Sequence, residues 1–140
     1  MELKVKRLHP DAKLPSYGHK GDAGLDLYTN VDLVLKPGDI VPVPTGITMA
    51  IASGYVGLIW DKSGLSLKGA HRLAGVVDSG YRGEIKVVVV NLGQTDFVIE
   101  KGMKIAQMLI QAVMGVEVVD TGSLEDTSRG AGGFGSTGKY

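Results

Sequence analysis

The sequence predicts an all-β domain, a sandwich, jelly roll or barrel, over about residues 1–119, followed by a C-terminal arm over 120–140. Three observations predict it. Turn signals recur at short intervals, at Pro37-Gly38-Asp39, Ser53-Gly54, Ser79-Gly80, Leu92-Gly93 and Lys101-Gly102. Between them lie short runs of Val, Ile, Leu and Tyr, the pattern of many short strands. Near Asp120 the strand-like residues stop, and the remainder is polar and glycine-rich.

The elements follow in order. Residues 31–35 (VDLVL) and 41–43 (VPV) alternate apolar with other residues, as half-buried strands do. Residues 85–90 (IKVVVV) and 105–113 (IAQMLIQAV) are apolar enough for strands covered on both faces. Residues 63–68 (SGLSLK) predict the one brief helix, with Ser63 as its N-cap. There is no internal repeat.

Composition narrows the function. A chain of 140 residues, 44% hydrophobic, suffices for one domain with a modest core. Fifteen basic residues balance fifteen acidic ones, which argues against bulk nucleic-acid binding through a basic surface. No cysteine is present, which excludes disulfides, zinc–thiolate sites and a thiol nucleophile, and His9, His19 and His71 are too widely spaced for a metal-ligand pattern. The first residues, MELKVKRLHP, hold no apolar signal core, and no run is long enough to span a bilayer as a helix. The expectation is a cytoplasmic protein without membrane or nucleic-acid partners.

The arm poses a chemical question. Its run RGAGGFGSTG, residues 129–138, cannot pack a core, because glycine offers no side chain and loses the most freedom on ordering. It reads either as a disordered tail or as a flap that orders on a ligand. Glycine-rich backbone forms concave nests of N–H groups for anions, Arg129 offers a planar fork to phosphate, Ser136 and Thr137 offer hydroxyls, and Phe134 can stack on a nucleobase. Together they describe a nucleoside polyphosphate clamp.

The motifs AGLDL (23–27), KSGL (62–65), GVVDSGYRGEI (75–85), GMKIAQ (102–107) and RGAGGFGSTG stand in the order of the five motifs of the trimeric dUTPase family, which the chain resembles from Ala23 to its end. The resemblance implies a jelly-roll-like fold, a homotrimer with shared active sites, and Mg²⁺-dependent hydrolysis of dUTP to dUMP and pyrophosphate. It implies roles residue by residue. Asp78 orients and deprotonates the water that attacks the α-phosphorus, a task suited to a carboxylate; by local sequence alone it is a hairpin aspartate. Tyr81 packs on the deoxyribose and leaves no room for a 2′-hydroxyl. A hairpin from Leu73 to Lys86, with Arg72 at its edge, reads the uracil. Lys62, Ser63 and Gly64 cradle phosphates, and Gln107 donates its amide to a phosphate oxygen. Arg129, Phe134, Gly135, Ser136 and Thr137 close over the nucleotide, in the family from a neighbouring subunit; twenty extended residues reach at most ~65 Å. Asp26 stands near the water shell of a Mg²⁺ ion held mainly by the phosphates. On residue type alone Asp26 is equally a structural carboxylate between strands, and Gln107 a solvent-facing strand residue or a subunit contact.

The chain departs from the family pattern at three places. Lys62 stands where arginine usually precedes the serine, keeping the charge without the fork. Arg72, after His71, stands where many bacterial members have an asparagine that helps read uracil, and the stretch from Ser63 to Asp78 is shorter than in most relatives. Rival readings are a same-fold pyrophosphatase of altered base preference, a dCTP deaminase-like enzyme and a non-catalytic nucleotide-responsive regulator. The intact Asp78-Ser79-Gly80-Tyr81 and the clamp favour phosphate hydrolysis over deamination, and nothing degenerate at Asp78, Tyr81 or Gln107 supports a regulator.

Overall fold

A computed structural model describes residues 1–137; residues 138–140, expected in the arm, lie outside the described residues. The short apolar runs become strands: β1 Lys4–Arg7, β2 Ser16–Tyr17, β3 Leu25–Tyr28, β4 Leu33–Leu35, β5 Ile40–Pro44, β6 Ile47–Ala50, β7 Tyr55–Trp60, β8 Ala70–Leu73, β9 Val76–Val77, β10 Lys86–Asn91, β11 Phe97–Ile99 and β12 Lys104–Ala112. One helix, α1 Ser63–Ser66, interrupts them. The strands form a five-stranded sheet in the order β2-β3-β12-β7-β9, a three-stranded sheet β5-β10-β8, and the pairs β1-β6 and β11-β4. Every pairing is antiparallel. Sheets facing one another across a shared core give the jelly-roll-like architecture.

Strand periodicity sends alternate residues into that core. Leu27, Leu35, Val43, Ile47, Ile85, Val87, Ile99 and Met108 are fully buried and belong to one apolar cluster. Two fully buried polar side chains find partners: Asn91 donates to the carbonyls of Leu35 (2.9 Å) and Thr95 (2.8 Å), and Thr45 Oγ1 donates to the carbonyl of Ile85 (2.6 Å). These bonds matter because an unpaired buried donor costs about 1–3 kcal/mol. Ile85 N–H also donates to Ile47 (2.9 Å) and Gly46 N–H to Glu84 Oε1 (2.9 Å), so the chain that leaves Asp78 is pinned to the β5–β6 corner.

Two expectations need correcting. Ser63 is not the N-cap but the first helical residue. Lys62 takes the capping position in extended geometry (φ −100°, ψ 126°), and its carbonyl closes the first turn by accepting from Leu65 (2.9 Å) and Ser66 (3.0 Å). The hairpin expected from Leu73 to Lys86 is not a simple one either. β8 and β10 do pair antiparallel, with Leu73 opposite Val88, but β9 between them pairs with β7, so the bend at Ala74-Gly75 carries the chain from one sheet to the other. Positive φ at Ala74 (58°) and Gly75 (123°) makes that switch.

β12 ends at Ala112, and residues 113–130 are exposed. Val113 N–H still donates to Gly54 (2.9 Å); beyond it, among the described residues, hydrogen bonds of the arm stay within the arm.

Candidate active site

Asp78 follows the two-residue strand β9 and opens a turn closed by Tyr81 N–H on the Asp78 carbonyl (3.1 Å). The aspartate is exposed, and among the described residues nothing donates to its carboxylate. Both Asp78 and Tyr81 line a cavity of about 240 Å³ where the two larger sheets part, between Ile59 of β7, the bend at 73–75, β9, and Ile85–Val88 at the start of β10. The Tyr81 hydroxyl donates to the Glu84 carbonyl (3.0 Å), which fixes the ring at the cavity wall. Leu73 and Lys86 line it too; Lys86 Nζ lies 3.8 Å from Glu84. Its volume falls below the roughly 300–1,000 Å³ of pockets for drug-sized ligands, so it admits a base and sugar rather than a whole nucleotide.

A second concave surface lies on the five-stranded sheet. Asp26, 4% exposed, stands opposite Gln107 in the β3–β12 register, and Gln107 stands opposite Trp60 in the β12–β7 register. The Asp26 carboxylate accepts from Lys62 on one oxygen (2.5 Å) and lies 2.7 Å from Lys104 Nζ on the other. Burial pushes the Asp26 carboxyl up, but the hydrogen bonds and charges of Lys104 and Lys62 outweigh it and hold the group below the usual carboxylate value. The hydrogen bond that Lys104 donates to Asp26, more than the charge of the carboxylate, raises Lys104. One carboxylate between two ammonium groups leaves a net positive cluster, which attracts phosphate.

Gln107 donates to the Asp61 carbonyl (2.9 Å) and so lies flat across the cleft. Gly24 permits this, because a Cβ there would come within 2.3 Å of Gln107 Oε1. Gln107, Asp26, Lys62 and Lys104 line an open cleft of about 670 Å³ together with His19, Asp22 and Asp61, so the cleft itself mixes both signs of charge. Beside it Lys62, Lys68 and Lys104, with Ser63, Gly64 and Gln107, form a cationic extension that no carboxylate lines. With Lys62 as cap, the Ser63 hydroxyl is not spent on the helix terminus.

The expected residues therefore fall into three groups within one chain. Leu73, Asp78, Tyr81 and Lys86 share the first cavity; Asp26, Lys62, Ser63, Gly64 and Gln107 share the cleft and its cationic extension; the two surfaces have no lining residue in common. Arg129, Phe134, Gly135, Ser136 and Thr137 lie apart in the exposed arm, where Arg129 Nε donates to Gly132 (2.9 Å). Arg72 belongs to none of these surfaces: its guanidinium lies over the Trp60 ring and reaches the Ala74 carbonyl.

Lys104 and Lys68 escaped the sequence reading. Lys104 stands inside GMKIAQ, three residues before Gln107, and strict strand alternation would send the two to opposite faces. A register shift between Lys104 and Ala106 turns them to the same side. Among the described residues no group of three or more His, Cys, Asp or Glu side chains can hold a metal ion. Among the described residues, no helix is long and apolar enough to cross a membrane.

A family model described as dUTPase matches residues 10–138. The deoxyuridine 5′-triphosphate nucleotidohydrolase of Clostridium kluyveri is 48% identical over 143 residues, covering 99% of each chain. Its counterpart in Mycolicibacterium gilvum is also 48% identical, over 99% of this chain and 96% of its own. Among solved structures, the dUTPase of Staphylococcus bacteriophage 80alpha with dUPNHPP superposes with a TM-score of 0.92 at 29% identity over 99% of both chains. A dUTPase of the S. aureus phage phi11, described with a structural Mg(II) ion, superposes with a TM-score of 0.84 at 25% identity, over 90% of this chain and all of its own.

Proposed function

The chain belongs to the dUTPase family, and from that footing we propose that it hydrolyses dUTP to dUMP and pyrophosphate with Asp78 as the general base. One observation supports this most: Asp78 and Tyr81 share a base-and-sugar-sized cavity, while Lys62, Lys68 and Lys104 with Ser63, Gly64 and Gln107 form a cationic surface suited to phosphates elsewhere on the chain.

Uracil and deoxyribose occupy the cavity, with Tyr81 against the sugar face. A pocket whose backbone groups pair every polar edge of one base rejects bases with the wrong donors. The exposed carboxylate of Asp78 accepts a proton from water as the water oxygen forms its bond to the α-phosphorus. The bond from the α-phosphorus to the bridging oxygen breaks, and pyrophosphate leaves with that oxygen. Holding carboxylate, water and phosphorus in line supplies much of the acceleration. Lys62, Lys104, Ser63 and Gln107 bind the phosphates and stabilise charge that grows on the leaving group.

The residues fit a Mg²⁺ ion carried in by the triphosphate rather than by a protein cage. Among the described residues there is no carboxylate cluster, and Asp26 already serves two lysines, so it meets such an ion through the ion's waters, with its remaining lone pairs. When bound, the ion neutralises phosphate charge and favours departure of pyrophosphate.

Because the cavity and the cleft share no lining residue within one chain, a complete site takes its base half and its phosphate half from different copies. That arrangement accords with a homotrimer, and residues 120–140 are the arm that closes a site, bringing Arg129, Gly135, Ser136 and Thr137 to the phosphates and Phe134 over the base.

The test is pyrophosphate release with Mg²⁺ from dUTP, dCTP, dTTP and UTP, beside Asp78→Asn. Turnover confined to dUTP and lowered about 10²–10⁴-fold in the variant is expected for loss of a general base. Tight dUTP binding without turnover in the parent chain would instead indicate a nucleotide-responsive regulator.

A further inference from the structure

Arg72 stands where a base-reading side chain was expected, yet it is absent from the lining of the cavity beside Asp78. Four contacts account for its position. Its Nη1 donates to the carbonyl of Ala74 (2.5 Å), and its Cζ lies 4.9 Å from the centroid of the Trp60 ring. Its Nε, buried and without a hydrogen-bond partner among the described residues, lies at ion-pair distance from Asp61 Oδ2 (3.8 Å), and its own backbone N–H donates to Asp61 Oδ1 (2.6 Å). The guanidinium is thus stacked on an aromatic face and aimed, with its charge directed at a carbonyl.

That carbonyl belongs to the bend that switches sheets and walls the cavity. Ala74 sits at φ 58°, a left-handed conformation that is unfavourable for any residue with a Cβ. Gly75 follows at φ 123°, and a Cβ there would approach the Ile59 carbonyl to 2.9 Å, so only glycine fits. The Gly75 carbonyl is tied to Ile59 N–H (2.8 Å). The Ala74 carbonyl has Arg72. Bonds on either side hold Leu73 and Gly75, but among the described hydrogen bonds Arg72 is the one donor to the Ala74 carbonyl itself.

We propose that Arg72 is a positioning residue for base selection: stacked on Trp60 and directed by Asp61, it holds the Ala74 carbonyl and fixes the bend whose backbone faces the base. The inference rests on the reading that this cavity takes uracil. It also explains how one segment serves both ends of the nucleotide. Asp61 directs Arg72 through its carboxylate and accepts Gln107 through its carbonyl, so a single stretch of backbone sets the base wall and the phosphate-side amide.

The experiment compares Arg72→Met and Arg72→Lys, each alone and with Ala74→Gly, in the full chain. Steady-state kinetics with dUTP and dTTP is joined to amide exchange of residues 74–77 without nucleotide. Loss of Arg72 raises KM for dUTP about tenfold, as for one lost hydrogen bond from a charged donor, with a smaller change in kcat. The preference for dUTP over dTTP falls, because a loosened bend admits the methyl group, and amide exchange at the bend accelerates. Lysine recovers only part, since it keeps the charge without the planar fork. With Ala74→Gly the effect of losing Arg72 shrinks, because glycine holds positive φ unaided.

Equal losses in both backgrounds with unchanged exchange would mean that Arg72 touches the nucleotide directly, and would overturn the proposal. So would unchanged kinetics and exchange in both variants. If Arg72→Met fails to fold, Arg72→Lys and its exchange pattern decide. A parent chain inactive on dUTP would overturn the assignment of the cavity, while exchange at residues 74–77 would still report on Arg72.

Discussion

Asp26 shows how one residue's surroundings decide between two chemistries. Its residue type suits a metal's water shell and a structural ion pair equally, and the geometry puts two ammonium groups on its two oxygens. Replacing it by asparagine leaves Lys62 and Lys104 facing each other without a counter-charge. Removing one partner from a buried pair costs about 3–5 kcal/mol; here both lysines are partly exposed, so a loss of about 1–3 kcal/mol at neutral pH is expected in denaturant melts. The pH dependence has a definite sign. The folded-state value of Asp26 is depressed, so its contribution is complete above the unfolded carboxylate value of ~3.9 and is lost as pH falls through the lower folded value. The stability gap between the parent and Asp26→Asn therefore narrows below about pH 4, and a gap constant down to pH 2 would contradict the ion-pair role. The same substitution weakens dUTP binding by releasing Lys62 and Lys104 from the positions in which they meet the phosphates.

At the scale of elements, the arm and β12 carry the sharpest consequences. A chain ending at residue 119 retains every strand and the whole apolar cluster, because the hydrogen bonds of the arm are local to it. Its melting temperature stays within a few degrees of the parent's, while kcat/KM for dUTP falls about 100-fold through lost alignment and closure. A truncated chain with full activity would remove the arm from the mechanism. Much of this element structure was legible in the sequence. The runs at 41–43, 85–90 and 105–113 were read as strands because continuous or alternating apolar residues have few other uses in a chain of this size; β5, β10 and β12 stand there, shifted by a residue or so at their ends. The motifs single out Asp78, Tyr81 and Gln107, and the structure puts the first two on the cavity and the third on the cleft. The bulge that brings Lys104 beside Gln107 was not legible, because Lys-Ile-Ala contains no glycine or proline to mark a register shift. Nor was the strand switch at Ala74-Gly75: both flanking runs look like arms of a hairpin until their partners, β10 and β7, are known. The Ser63 cap failed for a similar reason, since Lys62 supplies the capping carbonyl without any side-chain signal.

For the whole molecule, the separation of the cavity from the cleft governs function. Within a single chain the cavity and the cleft share no lining residue. In the proposed function, closed cyclic symmetry joins them by repeating one contact around an axis, each copy lending its cavity to one neighbour and its cleft to the other. The most direct measurement is complementation between two inactive chains, Asp78→Asn and Gln107→Ala, unfolded together, refolded as mixed oligomers and assayed for pyrophosphate release from dUTP. Random mixing in equal amounts restores about one quarter of the sites, those that draw Asp78 from one variant and Gln107 from the other, so activity rises well above that of either chain alone. Activity no greater than the sum of the two separate variants would show that each chain builds its site unaided, and would contradict the division of base and phosphate binding between copies.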